Sequence, residues 1–535
     1  MMMTWFEKRR IGDLPSAAAA RHGGRPALIF KGQRWTWAQF AQEVDRIAKG
    51  LIAIGVQPGD HVSIWLTNCP ECLFLLYAIP RVGAVAIPLN TRYRTDDIAY
   101  VLNQSDTSFL IAAEKSGPID YREMLEQIGS RLPLLKKCVM LGQDVPRHCL
   151  RWDELLAAGR EISDRQLLER AAAVDPDSLT LIIYTSGTTS APKGAMHTHI
   201  LIRLVAERAV LLGLTHQDVH LSYLPFFHAY GYAENAITTA LTGGCQVLTD
   251  TFRADEVLDL AEEHQATITH GFDTHYGDLI RAQLARPRRL SLRLGSFCAG
   301  QISTTPIARR AQEVLCPTVS GWGMSEAWSF PCMSHPLHTL EQRCEASGYP
   351  MLDVEIRIAD PATGASLPAG AEGEIWVKTY SRMQGYYKDP VLTAQTIDAD
   401  GWLHSGDMGR LRPDGHLVFL GRYKDVIKVG GENVSPAEVE AKLLELDCIQ
   451  EAAVVGLADD RLLEVAIAYV VLLPGSEANP SEILAHLSGK VASFKIPRHV
   501  FILEALPKTP SGKVRKVDLR ARAANDVLER SLVKA

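Results

Sequence analysis

The chain has 535 residues, of which 47% are hydrophobic and 22% charged, and a formal net charge of -6. This length exceeds a single core and predicts two or more domains of an ordinary globular protein. With 56 Lys+Arg against 62 Asp+Glu, no basic excess points to nucleic acid or an anionic membrane.

The opening stretch MMMTWFEKRRIGDLPSAAAARHGG lacks an apolar h-region, so no signal peptide is expected, and the final SLVKA is no peroxisomal address. Helical spacing in WTWAQFAQEVDRIAKGLIAIGV ends at Gly55, and HVSIWL follows as a buried strand. The most membrane-like run, Cys72–Leu89, is interrupted by Pro80 and Arg81 and reads as a buried helix, a turn and a buried strand. Cys69 and Cys72 form the only C-x-x-C among ten scattered cysteines. No second pair and no histidines stand in zinc-ligand register, so both read as core residues. A chain of this size without a disulfide-like framework suits a reducing cytoplasm.

AVAIPL, TSFLIAA, CQVLT, ATITHG and GSFCAG are further strands between helices. That alternation predicts an α/β fold with largely parallel sheets. After about Gly348 the texture changes to strands broken by turn signals such as PDG and GG. From SPAEVEAKLLEL onward the pattern is a small α+β unit ending in the tail LPKTPSGKVRKVDLRARA. A domain boundary is placed near Arg422–Asp425.

Four segments carry chemistry. In YTSGTTSAPKG, backbone N–H groups around Gly187, hydroxyls of Thr185, Ser186, Thr188 and Thr189, and the Lys193 charge could cradle phosphate. The segment is not a Walker A loop, because Pro192 and Gly194 occupy the wrong positions, and a surface turn is the competing reading. In SGWGMSEAW, Trp322 between glycines would offer an exposed face to a flat base, and Glu326 could hold Mg²⁺. The competing reading is a packed Trp in a turn. Asp407 of HSGDMGR could accept from a ribose diol, and Arg422 of GRYKD could donate to sugar or phosphate, unless both are surface ion-pair residues. In PKTPSGKVRK, Pro510 and Gly512 present Lys513 on an exposed turn, which alone could be a solvated basic tail.

Together these segments resemble the adenylate-forming superfamily of acyl-CoA synthetases, beetle luciferases and peptide-synthetase adenylation domains, over essentially the whole chain. YTSGTTSAPKG is similar to its nucleotide loop, GWGMSE to its adenine and magnesium segment, SGD to its ribose aspartate, GRYKDVIKVGGENVSPAEVE to its hinge and thioester-step loop, and PKTPSGKVRK to its catalytic-lysine loop. The resemblance implies a large N-terminal domain of α/β subdomains with parallel-rich sheets, residues 1–423, and a small mobile α+β lid, residues 424–535, hinged near Lys424. It implies catalytic roles for Lys513, Glu326 and His228, with Glu326 as the metal ligand. ATP or AMP would be held by Thr185, Ser186, Gly187, Thr188, Thr189, Lys193, Gly300, Gln301, Gly321, Trp322, Gly323, Ser325, Asp407 and Arg422. Lys428, Gly430 and Gly431 would serve the thioester step.

His228, Tyr230, Tyr232, Phe272, Asp273, Cys298 and Trp328 are the expected acyl-pocket wall. They suit a hydrophobic acid; a packed histidine is the lesser reading of His228, and Asp273 with His275 could instead meet a substrate hydroxyl. The sequence departs from the family pattern at Ser190 for glycine, Trp322 for tyrosine, GQI at 300–302 for a Gly-Ala-Pro-like run, and Asp273 for proline. The implied activity is an ATP-dependent acid–CoA ligase of fatty acid metabolism using ATP, Mg²⁺ and coenzyme A. The alternatives are transfer to a carrier protein and a non-catalytic nucleotide-binding relative. Homodimerisation is left open; neither nucleic acid nor an integral membrane segment is expected.

Overall fold

The computed structural model describes residues 6–185, 192–298, 304–429, 432–488, 490–509 and 512–533, side chains at positions 298, 424, 432, 433 and 530–533 excepted. Local signals set the elements. The helix Trp37–Ala53 starts at a capping box: Gln39 N–H donates to the Thr36 hydroxyl, and Thr36 N–H donates to the Gln39 amide oxygen. Its Phe40, Val44, Ile47, Ala48 and Leu51 recur at helical spacing and are buried. Phe40 packs edge-on against Phe74, 4.8 Å away, and Tyr77, 5.7 Å away. Truncating Phe40 to Ala would cost about 3–5 kcal/mol. Those partners lie on the helix Pro70–Arg81, which continues through Pro80 into the strand Val85–Pro88. Pro80 is tolerated because the helix ends at the next residue. Cys72 is buried there, and the Cys69 sulfur accepts from Cys72 N–H as the helix cap.

Two large sheets, parallel over most of their strands, form the body of the N-terminal part. One runs in the order Gly385–Tyr386, Lys193–Thr198, Leu179–Thr185, Val85–Pro88, His61–Trp65, Phe109–Ala113, Lys137–Leu141 and Leu150–Arg151. The other runs Tyr349–Pro350, Ser329–Met333, Thr318–Met324, Leu294–Cys298, Ile268–Gly271, Val219–Ser222, Cys245–Leu248, Pro26–Phe30 and Gln33–Thr36. The expected strands all appear, and helices follow them as the alternation requires. Antiparallel partners enter at one end of the first sheet, Lys193–Thr198, and at both ends of the second, Ser329–Met333 at one and Gln33–Thr36 at the other. Two of the four candidate motifs, YTSGTTSAPKG and SGWGMSEAW, lead into Lys193–Thr198 and Ser329–Met333.

An antiparallel sheet, Glu355–Ala359, Gly373–Lys378, Leu403–Leu411 and Leu417–Arg422, follows. Beyond a single 3-10 turn, Tyr423–Asp425, a separate sheet begins at Ile427 and has its own core around Val454, Ala468 and Val500. The tail is more ordered than its basic composition implies, for Lys516–Val533 is a helix with buried Leu519 and Ala523. Among the described residues no helix is long and apolar enough to cross a membrane.

Candidate active site

The antiparallel register places Thr185 opposite Lys193, so the two ends of the glycine- and hydroxyl-rich segment stand side by side. Ser186, Gly187, Thr188 and Thr189 lie outside the described residues, as do Gly300, Gln301, Gly430 and Gly431. The Lys193 ammonium is 5.7 Å from the Tyr386 ring, and the Tyr386 hydroxyl donates to Glu326 Oε1 over 2.7 Å. Glu326 is buried in the 3-10 turn Ser325–Ala327, and its carbonyl accepts from Met383 N–H. Lysine, tyrosine and carboxylate therefore form one chain from the first large sheet to the second.

Trp322 differs from the expectation of an exposed face. Its ring is buried, because the strand Thr318–Met324 is covered on both sides, and its indole N–H donates to Asp407 Oδ2 over 3.0 Å. Asp407 lies opposite Arg422 in the antiparallel pair, with Arg422 Nε 3.2 Å from Oδ1. That contact is an ion pair without hydrogen-bond alignment, so Oδ1 keeps an accepting lone pair. Burial pushes the Asp407 carboxyl up, while Arg422, the indole and Lys513 pull it back. Asp407 in turn raises the Arg422 guanidinium pKa. Gly321 and Gly323 are spaced by the sheet itself: a Cβ at Gly323 would lie 1.4 Å from the Ser329 carbonyl oxygen.

The expected acyl wall divides in two. Phe272 and His228 pack edge to face at 5.7 Å, and Tyr230 meets Phe272 at 5.3 Å and Phe330 at 4.8 Å. Burial, reinforced by Lys513, lowers the His228 pKa to about 3, so the ring is neutral. The Tyr230 hydroxyl donates to Ser296 O over 2.9 Å, which ties it to the sheet. Tyr232, also expected in the wall, is placed differently from these rings. It is fully buried, and its hydroxyl donates to the Leu76 carbonyl over 2.8 Å, because the π-helical turn Tyr232–Ile237 points it into the core. Trp328 is also fully buried, 5.8 Å from Tyr232 and 5.3 Å from His197. Trp328 and Ser329 have φ of 61° and 63°, a left-handed pair costing about 1–3 kcal/mol each. The Cys298 side chain is not among those described.

Lys513 reaches this place from the C-terminal part. Its ammonium is 4.9 Å from the Phe272 ring and acts electrostatically on His228, Asp273 and Asp407. Asp273 thus stands beside the Lys513 turn, at the start of the helix Asp273–Ala285. Lys428 is exposed on the strand Ile427–Val429, with its backbone N–H on Glu464. Tyr386 and His197 were not singled out above: GYYKD and AMHTH carry no spacing that separates them from core residues. Burial lowers His197 to about 4, with the Ser325 backbone acting against that shift.

The profile of the AMP-binding enzymes matches residues 16–387, and that of the AMP-binding enzyme C-terminal domain matches residues 438–513. Medium-chain fatty-acid–CoA ligase of Escherichia coli (strain K12) is 32% identical over 93% of this chain and 88% of its own length. Feruloyl-CoA synthase of Amycolatopsis sp is 34% identical over 96% of this chain and 97% of its own. Among solved structures, the anthranilate CoA ligase AuaEII in complex with anthranoyl-AMP superposes with a TM-score of 0.88 at 25% identity, over 99% of this chain and 100% of that one.

Proposed function

As the chain belongs to the AMP-binding enzymes, in their AMP-forming acid–CoA ligase branch, we propose that it activates a hydrophobic carboxylic acid as an acyl-adenylate and passes the acyl group to CoA. The observation that carries this reading is the approach of Lys513 to Phe272, His228 and Asp407. A free carboxylate is a poor acyl donor because its leaving group would be oxide. Its attack on the α-phosphorus of ATP expels pyrophosphate instead, but it brings two anions together. A fixed cation between them lowers that barrier. Lys513 takes this role, with Lys193 on the outer phosphates and Ser325 on the α-phosphate. Asp407 receives the ribose through Oδ1, and Arg422 steadies that carboxylate.

The residues present fit Mg²⁺. Glu326 offers a hard carboxylate, already oriented through one oxygen by Tyr386. With the phosphate oxygens of the nucleotide it would hold the ion, which when bound neutralises phosphate charge.

In the second step the lid, residues 424–535 with its hinge at Lys424, carries Lys513 away and brings Lys428, Gly430 and Gly431 toward the acyl-adenylate. Its departure removes a charge that holds His228 low, so the ring becomes a better acceptor for the CoA thiol proton as that proton must leave. The thiolate attacks the carbonyl and AMP departs. The Phe272, Tyr230 and Phe330 rings favour a medium-chain, alicyclic or aryl acid, in keeping with the acids named for the relatives. A cytoplasmic setting goes with ATP and CoA as co-substrates.

The test is AMP release with a panel of acids including octanoate, cyclohexanecarboxylate and benzoate, with and without CoA. AMP release that requires both acid and CoA is expected. Pyrophosphate exchange without any CoA-dependent release of AMP would point to another acyl acceptor, and no exchange with any acid would leave a nucleotide-binding relative.

A further inference from the structure

The turn that carries Lys513 closes on itself. Thr509 N–H donates to the Lys513 carbonyl over 2.6 Å, Gly512 N–H to the Thr509 carbonyl over 2.9 Å, and Lys513 N–H to the Thr509 hydroxyl over 3.0 Å. It rests on Phe272–Thr274, where the helix Asp273–Ala285 begins. Phe272 meets the Lys513 ammonium, and Gly512 is so close to Thr274 that a Cβ there would lie 2.6 Å from the hydroxyl. Asp273 stands between these two touched residues. Burial raises its carboxyl, the Thr274 backbone, Lys513 and Lys508 pull it back, and Glu451 adds a like charge. Lys508 is itself held to Glu451 at 2.7 Å, so it arrives already placed. Asp278, further along the helix, also faces Lys508 and Glu451.

We propose that Asp273 is a positioning residue for Lys513: its carboxylate holds the lysine-bearing turn on the helix start and so favours adenylate formation over the thioester step. The proposal rests on the role given to Lys513 above. Two ammonium groups brought against a buried helix end without a carboxylate would repel the docked turn, whereas one carboxylate between them offsets both. The attraction has to stay modest, because the turn must leave again for CoA to react. A coupling of about tenfold is in the usual range for such a bias.

The experiment compares wild type with Asp273→Asn and Asp273→Glu in both half-reactions, using whichever of octanoate, cyclohexanecarboxylate and benzoate gives the fastest wild-type pyrophosphate exchange. Asp273→Asn should lower the exchange kcat about tenfold and leave KM for the acid within about twofold. Thioester formation from supplied acyl-adenylate should be unchanged or faster, and Asp273→Glu should recover most of the loss. A changed KM with kcat retained would make Asp273 part of the acyl wall and overturn the proposal, as would equal loss in both half-reactions or no loss in either. Should Asp273→Asn fail to fold, Lys508→Gln takes its place, with the same split expected. If wild type exchanges with none of the three acids, the ligase reading fails but this one is still decided. Backbone amides of Phe272–Tyr276 must then exchange hydrogen faster in ligand-free Asp273→Asn, and unchanged protection refutes it.

Discussion

Asp407 is shared between a tryptophan and an arginine, and that sharing has a measurable consequence. Its Oδ2 accepts from the Trp322 indole, which leaves a lone pair on Oδ1, beside Arg422, for the proposed ribose contact. Trp322→Phe keeps a ring but removes the donor, stranding a buried carboxylate oxygen. A hydrogen bond to a charged group is worth about 1.5–3 kcal/mol, so AMP affinity measured by calorimetry should fall about tenfold or more. Unchanged affinity would show that the indole only fills space. Asp407 and Arg422 were legible as candidates, because each stands in a short run of glycine and charge. Their link to Trp322 was not, since it crosses from one sheet to another and depends on burial of a ring expected to be exposed. Tyr386 was illegible for the same reason: nothing local marks a tyrosine that orients a distant glutamate.

The turn Thr509–Lys513 shows what an element adds. Gly512 has φ of 85°, a left-handed conformation, and its Cα faces Thr274 with no space for a methyl group. Gly512→Ala therefore meets two obstacles, backbone strain within the turn and a clash with Thr274 that acts only while the turn is docked. Pyrophosphate exchange should drop about tenfold or more, and thioester formation from supplied adenylate should hold. Parallel loss in the two assays would mean that the turn is needed for folding rather than docking. Strands and helices of the two large sheets were readable from alternation and apolar runs. The π-helical turn that swings Tyr232 into the core and the left-handed Trp328–Ser329 pair were not, because both are backbone choices imposed by neighbouring segments. The helix Lys516–Val533 was hidden by its basic residues, of which Arg522 is exposed while Lys516 and Arg520 pair with Glu440 and Asp425, and Leu519 and Ala523 pack inward.

At the scale of the molecule, burial of histidines ties stability to pH. Burial lowers His197, His199, His220 and His275 to about 4, and His228 to about 3. In the unfolded chain they titrate near pH 6.5, so between that pH and 4 the unfolded state binds more protons. Their contribution is complete above pH 6.5 and is lost as pH falls toward 4. Asp273 and Asp407, raised by burial, act with the opposite sign at the lower end, so the histidine effect is cleanest from pH 6.5 to 5. Calorimetry should find Tm lower at pH 5 than at pH 7 by at least about 3 °C, and a flat profile would contradict the buried-neutral assignment. A small C-terminal unit was visible in the change of pattern from SPAEVEAKLLEL onward. Which face of the C-terminal part meets the site was not, since that contact joins Lys513 to Phe272 across more than two hundred residues. The central claim is that this lysine serves the first half-reaction and not the second. Lys513→Ala, assayed in both, tests it most directly. Pyrophosphate exchange should fall about 10²–10³-fold or more, while thioester formation from supplied acyl-adenylate stays close to wild type. Near-normal exchange, or an equal fall in both steps, would contradict the account.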